Sequence, residues 1–165
     1  MRSLAPIAAT LLACAGSSGD APETLQVFTD WIRVDATCGE YSFRGPPETM
    51  AQEARGTDSC VERWTTHACD YAADYGSFSS DLSEYREAMG YEELTERISG
   101  RDAKLVTATL ADSEPRYVAA ITIPDVDPAV PGLRLTVDAR CRSSAGQLDA
   151  LSVFRTLVLP EAPLP

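Results

Sequence analysis

The chain has 165 residues, 44% of them hydrophobic, and its 25 acidic side chains outnumber 14 basic ones for a formal net charge of −11. Such a surface repels phosphate backbones and anionic headgroups, which argues against nucleic-acid binding and against polybasic membrane docking. The length suits one domain with a sizeable core and is too short for two comfortable ones.

At the start of the chain a single basic residue, Arg2, precedes an apolar run from Leu4 to Ala13 that ends in Leu11-Leu12-Ala13-Cys14. About ten apolar residues are too few to span a bilayer as a helix, which takes roughly 20. The segment resembles the export signal of bacterial lipoproteins, in which a peptidase cuts before the cysteine of a Leu-x-Ala/Gly-Cys box and acyl chains are attached to that cysteine. The resemblance implies a cleaved signal over 1–13 and lipidation at Cys14. With Ala15 and no aspartate next to the cysteine, it implies the outer membrane with the domain facing the periplasm. A second reading stays open: Ala13-Cys14-Ala15 also fits an A-x-A secretory site, and a cut after Ala15 would release a secreted or periplasmic soluble protein. Removing residues 1–13 leaves 165 − 13 = 152 residues and, with Arg2 gone, a charge of −11 − 1 = −12.

Residues 14–24 are rich in Gly, Ser and Pro and predict a flexible tether behind the anchor. Ten such residues reach roughly 17 Å by random-coil scaling, about two Debye lengths at physiological salt. A single domain is expected over 25–160, with 161–165 as a tail.

Within the domain, Trp31 to Val34 and Tyr41 to Phe43 are short strand candidates, and Gly45-Pro46-Pro47 closes the second because proline lacks a ladder donor. Cys60 to Thr65 and Cys69 to Phe78 predict a hairpin around Thr66-His67-Ala68. In its second arm Cys69, Tyr71, Ala73 and Tyr75 share one face while Asp70, Ala72 and Asp74 share the other. Lys104 to Leu110, Arg116 to Ile123 and Leu133 to Cys141 are further strands. The last alternates most clearly, with Leu133, Leu135, Val137, Ala139 and Cys141 facing inward.

Helical spacing is expected from Asp81 to Ser99, with Leu82, Tyr85 and Met89 on one stripe and Tyr91, Leu94 and Ile98 on nearly the opposite one. This predicts two short helices meeting at Gly90, since glycine is costly inside a helix and favourable at its end. A final helix is expected after Ser144, with Ser144 and Gln147 forming a capping box and Leu148, Leu151, Phe154 and Val158 supplying the inward stripe. Leu157 to Pro160 reads as a strand or extended tail beside it. The fold class that follows is α+β, a single antiparallel β-sheet flanked by helices.

Either route of processing leaves Cys38, Cys60, Cys69 and Cys141, an even set suited to disulfides in an oxidising compartment. Four cysteines allow three pairings. Cys60 with Cys69 across the hairpin, and Cys38 with the inward-facing Cys141, is the expected one. Cys60, His67, Cys69 and Asp70 gather metal-ligand types within eleven residues, but the spacings Cys-x8-Cys and His-x-Cys do not match paired zinc ligands. Asp125-Val126-Asp127 between two prolines reads as a surface turn with too few oxygens for calcium. No metal or other cofactor is expected.

The chain has no Gly-rich phosphate loop, His-Glu-x-x-His or Gly-x-Ser-x-Gly motif, and its single histidine, His67, falls in the expected turn. Glu84, Glu87, Glu92, Glu93 and Glu96 read as solvated helix faces. The order of elements, with Tyr41-Ser-Phe-Arg-Gly-Pro-Pro47 after an early tryptophan and a closing Ala150-Leu-Ser-Val-Phe-Arg-Thr-Leu157, resembles the PsbP-like α/β/α sandwich group. That resemblance implies accessory or assembly roles and assigns no functional residues. The expected function is a lipid-anchored, non-enzymatic binding or assembly module with a protein partner. Two alternatives stand beside it: a small-ligand carrier with a pocket lined by Trp31, Trp64, Tyr71 and Tyr75, and a hydrolase built on His67 or paired carboxylates.

Overall fold

Thr66 organises the hairpin that joins 60–65 to 69–76. Its hydroxyl accepts the amides of Ala68 at 3.2 Å and Cys69 at 3.0 Å, while its own amide donates to the Cys69 carbonyl at 2.8 Å. This local closure is the turn habit of threonine, and it sets the register of the two flanking strands. The computed structural model describes residues 28–56, 58–127 and 129–160. The expected signal, Cys14, the tether and the 161–165 tail lie outside the described residues.

In chain order the strands are β1 Ile32–Asp35, β2 Ser42–Gly45, β3 Met50–Gln52, β4 Cys60–Thr65, β5 Cys69–Gly76, β6 Met89–Ile98, β7 Arg101–Thr109, β8 Tyr117–Ile123 and β9 Arg134–Cys141, followed by the helix α1, Ser144–Arg155. β1 and β2 pair as a small sheet, and the other seven form one antiparallel sheet in the order β3-β4-β5-β9-β8-β7-β6. The expected single sheet flanked by helices is thus corrected to two antiparallel sheets and, among the described residues, one α-helix. That helix is not long and apolar enough to cross a membrane.

The two helices expected over 81–99 are not formed. Ser83–Tyr85 makes one 3-10 turn, entered through Leu82 at φ 65°, and Met89 to Ile98 is strand β6. No helix break exists at Gly90, which lies inside β6 and has φ +65° where the register against β7 shifts between Met89 and Glu92. Ser99 and Gly100, both at positive φ (50° and 78°), then turn the chain straight back into β7. Positive φ at both central residues is the turn whose twist suits a tight hairpin. Once that turn forms, β6 pairs with β7 from Glu92 to Ile98, and this ladder outweighs a weak helical stripe.

One face of the large sheet carries the main core. Cys69, Tyr71, Ala73, Leu135, Val137, Ala139 and Cys141 are buried there beneath Ala150, Val153 and Phe154 of α1 and Phe43 of β2. The helix begins one residue earlier than expected. Its N-cap is Ser143, whose hydroxyl accepts the Gly146 amide at 3.1 Å, while Gln147 donates to the carbonyls of Ala108 and Val118 in place of closing a capping box. The inward stripe is accordingly Gly146, Ala150, Val153, Phe154 and Leu157, with Leu148 and Val158 exposed. Val158 exchanges both backbone hydrogen bonds with Ser42, so the expected extended tail does join the small sheet.

The disulfides join Cys38 to Cys60 and Cys69 to Cys141, which corrects the expected Cys60–Cys69 and Cys38–Cys141. The reason is register. Cys60 faces Tyr75 across the hairpin, so Cys60 and Cys69 sit at opposite ends of it, roughly 20 Å apart at about 3.3 Å per strand residue. Cys69 instead lies directly opposite Cys141 on β9, with Cα atoms 4.1 Å apart.

Candidate functional site

The aromatic set expected to line a pocket does not meet as one. Trp31 stacks on Phe28 with ring centroids 4.5 Å apart, and Tyr75 stacks on Tyr41 at 6.3 Å. Trp64 and Tyr71 do converge, but Phe43 and Phe154 close edge-on against them. The space left among these side chains is about 10 Å³. That is no more than one water needs, so this region is core.

The opposite face of the sheet carries polar chemistry. Residues 77–88 cross it as a strap over β7, β8 and β9. Leu82 and Tyr85 from the strap bury against Val106, Ala108, Val118 and Ala120 in a second, smaller core. The strap is also pinned by polar contacts: the Ser80 carbonyl accepts the hydroxyls of Thr136 at 2.7 Å and Thr122 at 3.3 Å. The Tyr85 hydroxyl bonds the Asp138 carboxylate and accepts from Arg140 at 2.9 Å, and Arg140 in turn donates to Asp138 at 2.8 Å. Burial, and then the charge of Asp138, push the Tyr85 phenol well above its ordinary range. Alternation of sequence predicted these β9 side chains to point outward. It could not foretell that Thr136 would be 5% exposed beneath a strap.

Where the strap leaves the sheet, a cleft of about 290 Å³ opens, lined by Asp81, Thr95, Asp102, Lys104, Thr122 and Arg134 among others. Register explains the meeting: Lys104 faces Thr122 across β7 and β8, Thr122 faces Thr136 across β8 and β9, and Thr95 faces Lys104 across β6 and β7. Lys104 donates to the Asp81 carbonyl and Arg134 to the Ser79 carbonyl at 3.2 Å. The hydrogen bonds from Ser83, with Lys104 and Arg134 adding their charge, hold the Asp81 carboxyl below its usual 3.8. The lone lysine was visible in the sequence, but nothing there linked it to Arg134, thirty residues away.

Beyond the strap the same face is open over β3, β4 and β5. Arg63 and Arg142 are exposed, Val61, Asp70 and Ala72 half-buried, and Arg142 reaches both carboxylate oxygens of Asp70 at 3.2 Å.

The remaining sequence candidates scatter. His67 stands on the hairpin turn with its side chain 89% exposed and Nδ1 3.6 Å from the Glu48 carboxylate. Cys60 and Cys69 are each oxidised to a different cysteine, so neither offers a thiolate to a metal. Asp125 and Asp127 accept the amides of Gly132 and Ala129, at 3.0 and 2.8 Å, which makes them turn formers. Of the five glutamates, Glu84 accepts from Ser80 on the strap, Glu93 from Tyr91, and Glu96 forms a two-pronged pair with Arg155 at 2.7 and 3.0 Å.

No protein-family model and no curated protein matches the sequence. Among solved structures, the solution structure of cyanobacterial PsbP (CyanoP) from Synechocystis sp. PCC 6803 is similar, with a TM-score of 0.51 over 88% of this chain and 98% of that one. The fold resembles that of PsbP. At 12% sequence identity the likeness is one of fold alone.

Proposed function

We propose that the chain is a lipid-anchored module of the bacterial cell envelope that works by binding a protein partner and not by catalysis. The observation that carries this reading is the open half of the sheet's second face. Over β4 and β5 the strands present Val61, Arg63, Asp70 and Ala72 to solvent, beside Arg142, where the neighbouring strands are covered by the strap. A surface that carries Arg63, Asp70 and Arg142 within an acidic molecule favours a partner with charges of both signs, because such pairs fix register and select against wrong partners. Two disulfides agree with an oxidising compartment. Attachment at Cys14 would hold the domain at the outer membrane, facing the periplasm, with no nucleic acid or cofactor involved.

Two experiments test the parts separately. Membrane fractionation of wild type and Cys14→Ala is expected to move the protein from the membrane to the soluble fraction, with loss of the lipid mass from the native N-terminus. An unlipidated wild-type N-terminus at Ala15 or Gly16 would overturn the anchor. Site-specific crosslinkers placed at Arg63 and Ala72 are expected to capture one envelope protein, and Arg63→Glu is expected to abolish the adduct at Ala72. Unchanged capture, or an activity lost in His67→Ala at unchanged thermal stability, would overturn the binding reading.

A further inference from the structure

We propose that the cleft at the end of the strap is a binding site for a small oxyanion, a carboxylate or a phosphate, gripped by Lys104 and Arg134. The chain carries a net charge of −11 and a single lysine, and that lysine shares this cleft with an arginine. Both cations are positioned by backbone carbonyls, Asp81 for Lys104 and Ser79 for Arg134. A carbonyl fixes a cation in place and accepts a hydrogen bond without neutralising the charge, and an ammonium or guanidinium has donors left over.

Among the described residues neither Lys104 nor Arg134 forms an ion pair, whereas six arginines do. Two carboxylates share the wall: Asp102 is paired elsewhere, whereas Asp81 feels the charges of Lys104 and Arg134 without forming an ion pair with either. Asp81 Oδ1 accepts the Ser83 amide at 3.0 Å, and Asp102 faces Arg97 at 3.5 Å. Thr95 adds a hydroxyl to the wall, while that of Thr122 donates to the Ser80 carbonyl. The volume of about 290 Å³ is close to the lower end of small-ligand sites. This suits an anion the size of a dicarboxylate or a phosphate, held by charge-assisted hydrogen bonds from two directions.

The site lies apart from the open face over β4 and β5, so its test is independent of the proposed partner. The probes are inorganic phosphate and succinate, each titrated at millimolar concentration into the isotope-labelled domain at constant ionic strength set with sodium chloride. Saturable amide shifts are expected at Lys104, Thr122 and Arg134 with one or both probes, and which of them saturates assigns the class. Lys104→Gln should weaken binding about tenfold or more, the equivalent of losing one charged hydrogen-bond partner. Because Lys104 also pins the strap, Thr95→Glu is the second variant: it leaves both cations in place and puts a carboxylate at the mouth, and it should abolish the saturable shifts. Shifts that grow linearly for both probes, or saturable shifts that persist unchanged in Thr95→Glu, would overturn the proposal.

Discussion

Single side chains in this protein act mainly by keeping buried hydroxyls neutral and paired. Glu62 accepts the Thr37 amide at 2.5 Å and the Tyr41 hydroxyl at 2.9 Å, tying the loop before β2 to the middle of β4. Burial, and then Glu62, raise the Tyr41 phenol above its ordinary 10.0; burial likewise leads for Tyr71, followed by Asp149, and for Tyr85, followed by Asp138. An acid whose folded pKa is raised stabilises the fold fully below its unfolded pKa and loses that contribution as pH rises through the folded one. Stability should therefore be flat on this account up to about pH 10 and fall above it, because the unfolded tyrosines ionise first. In an alkaline titration followed by tyrosinate absorbance and circular dichroism, these three phenols should ionise only together with loss of structure. Gradual titration of all six tyrosines with an unchanged fold would contradict this.

At the scale of elements, helix α1 is set by its first turn. Ser143 adopts extended backbone geometry at φ −150° and accepts the Gly146 amide, so it, and not Ser144, satisfies an otherwise orphaned donor. Ser143→Ala should cost about 1 kcal/mol in denaturant unfolding and Ser144→Ala only a few tenths, the reverse of what the Ser144/Gln147 spacing predicts. Equal losses would show the cap to be shared. Strand β6 poses a different problem, since it forms one edge of the large sheet. Glu92, Glu93 and Glu96 along it, with Arg97, put charge where a further strand would have to pair, which is a usual defence of exposed edges. The sequence pattern of β6 is ambiguous for the same reason: an edge exposed on both sides needs no strict alternation. The signal that would have settled it is the Ser99-Gly100 turn.

For the whole molecule, the two disulfides do different work. Cys69–Cys141 ties two central strands and is 0% exposed at both ends. Cys38–Cys60 fastens the loop between β1 and β2 to the start of β4, and Cys60 is exposed. Thiol exchange needs access to a sulfur, so a mild reductant should open Cys38–Cys60 first and leave the large sheet intact. In the chain-entropy model the separations of 22 and 72 residues correspond to about 3 and about 4 kcal/mol, so removing the second bond should destabilise more. Peptide mapping after timed alkylation reads the order, and labelling of Cys69 or Cys141 before Cys38 would contradict it.

The sequence alone determined those strands whose side chains must alternate because one face is buried. β4 is predicted at its observed bounds, β5 and β9 to within two residues at their ends, and the hairpin at Thr66 to Ala68 with an exposed His67 follows from local turn chemistry. It also held, unused, the arithmetic that forbids Cys60–Cys69, since a turn at 66–68 places Cys60 opposite Tyr75. Only the tertiary structure decided the rest. The order β5-β9-β8 brings Cys69 to Cys141, the strap turns the outward side chains of β8 and β9 into a second buried layer, and the same crossing gathers Lys104, Arg134 and Asp81. Those contacts join residues tens of positions apart through sheet neighbours that are not sequence neighbours, and local periodicity carries no information about which strands become neighbours.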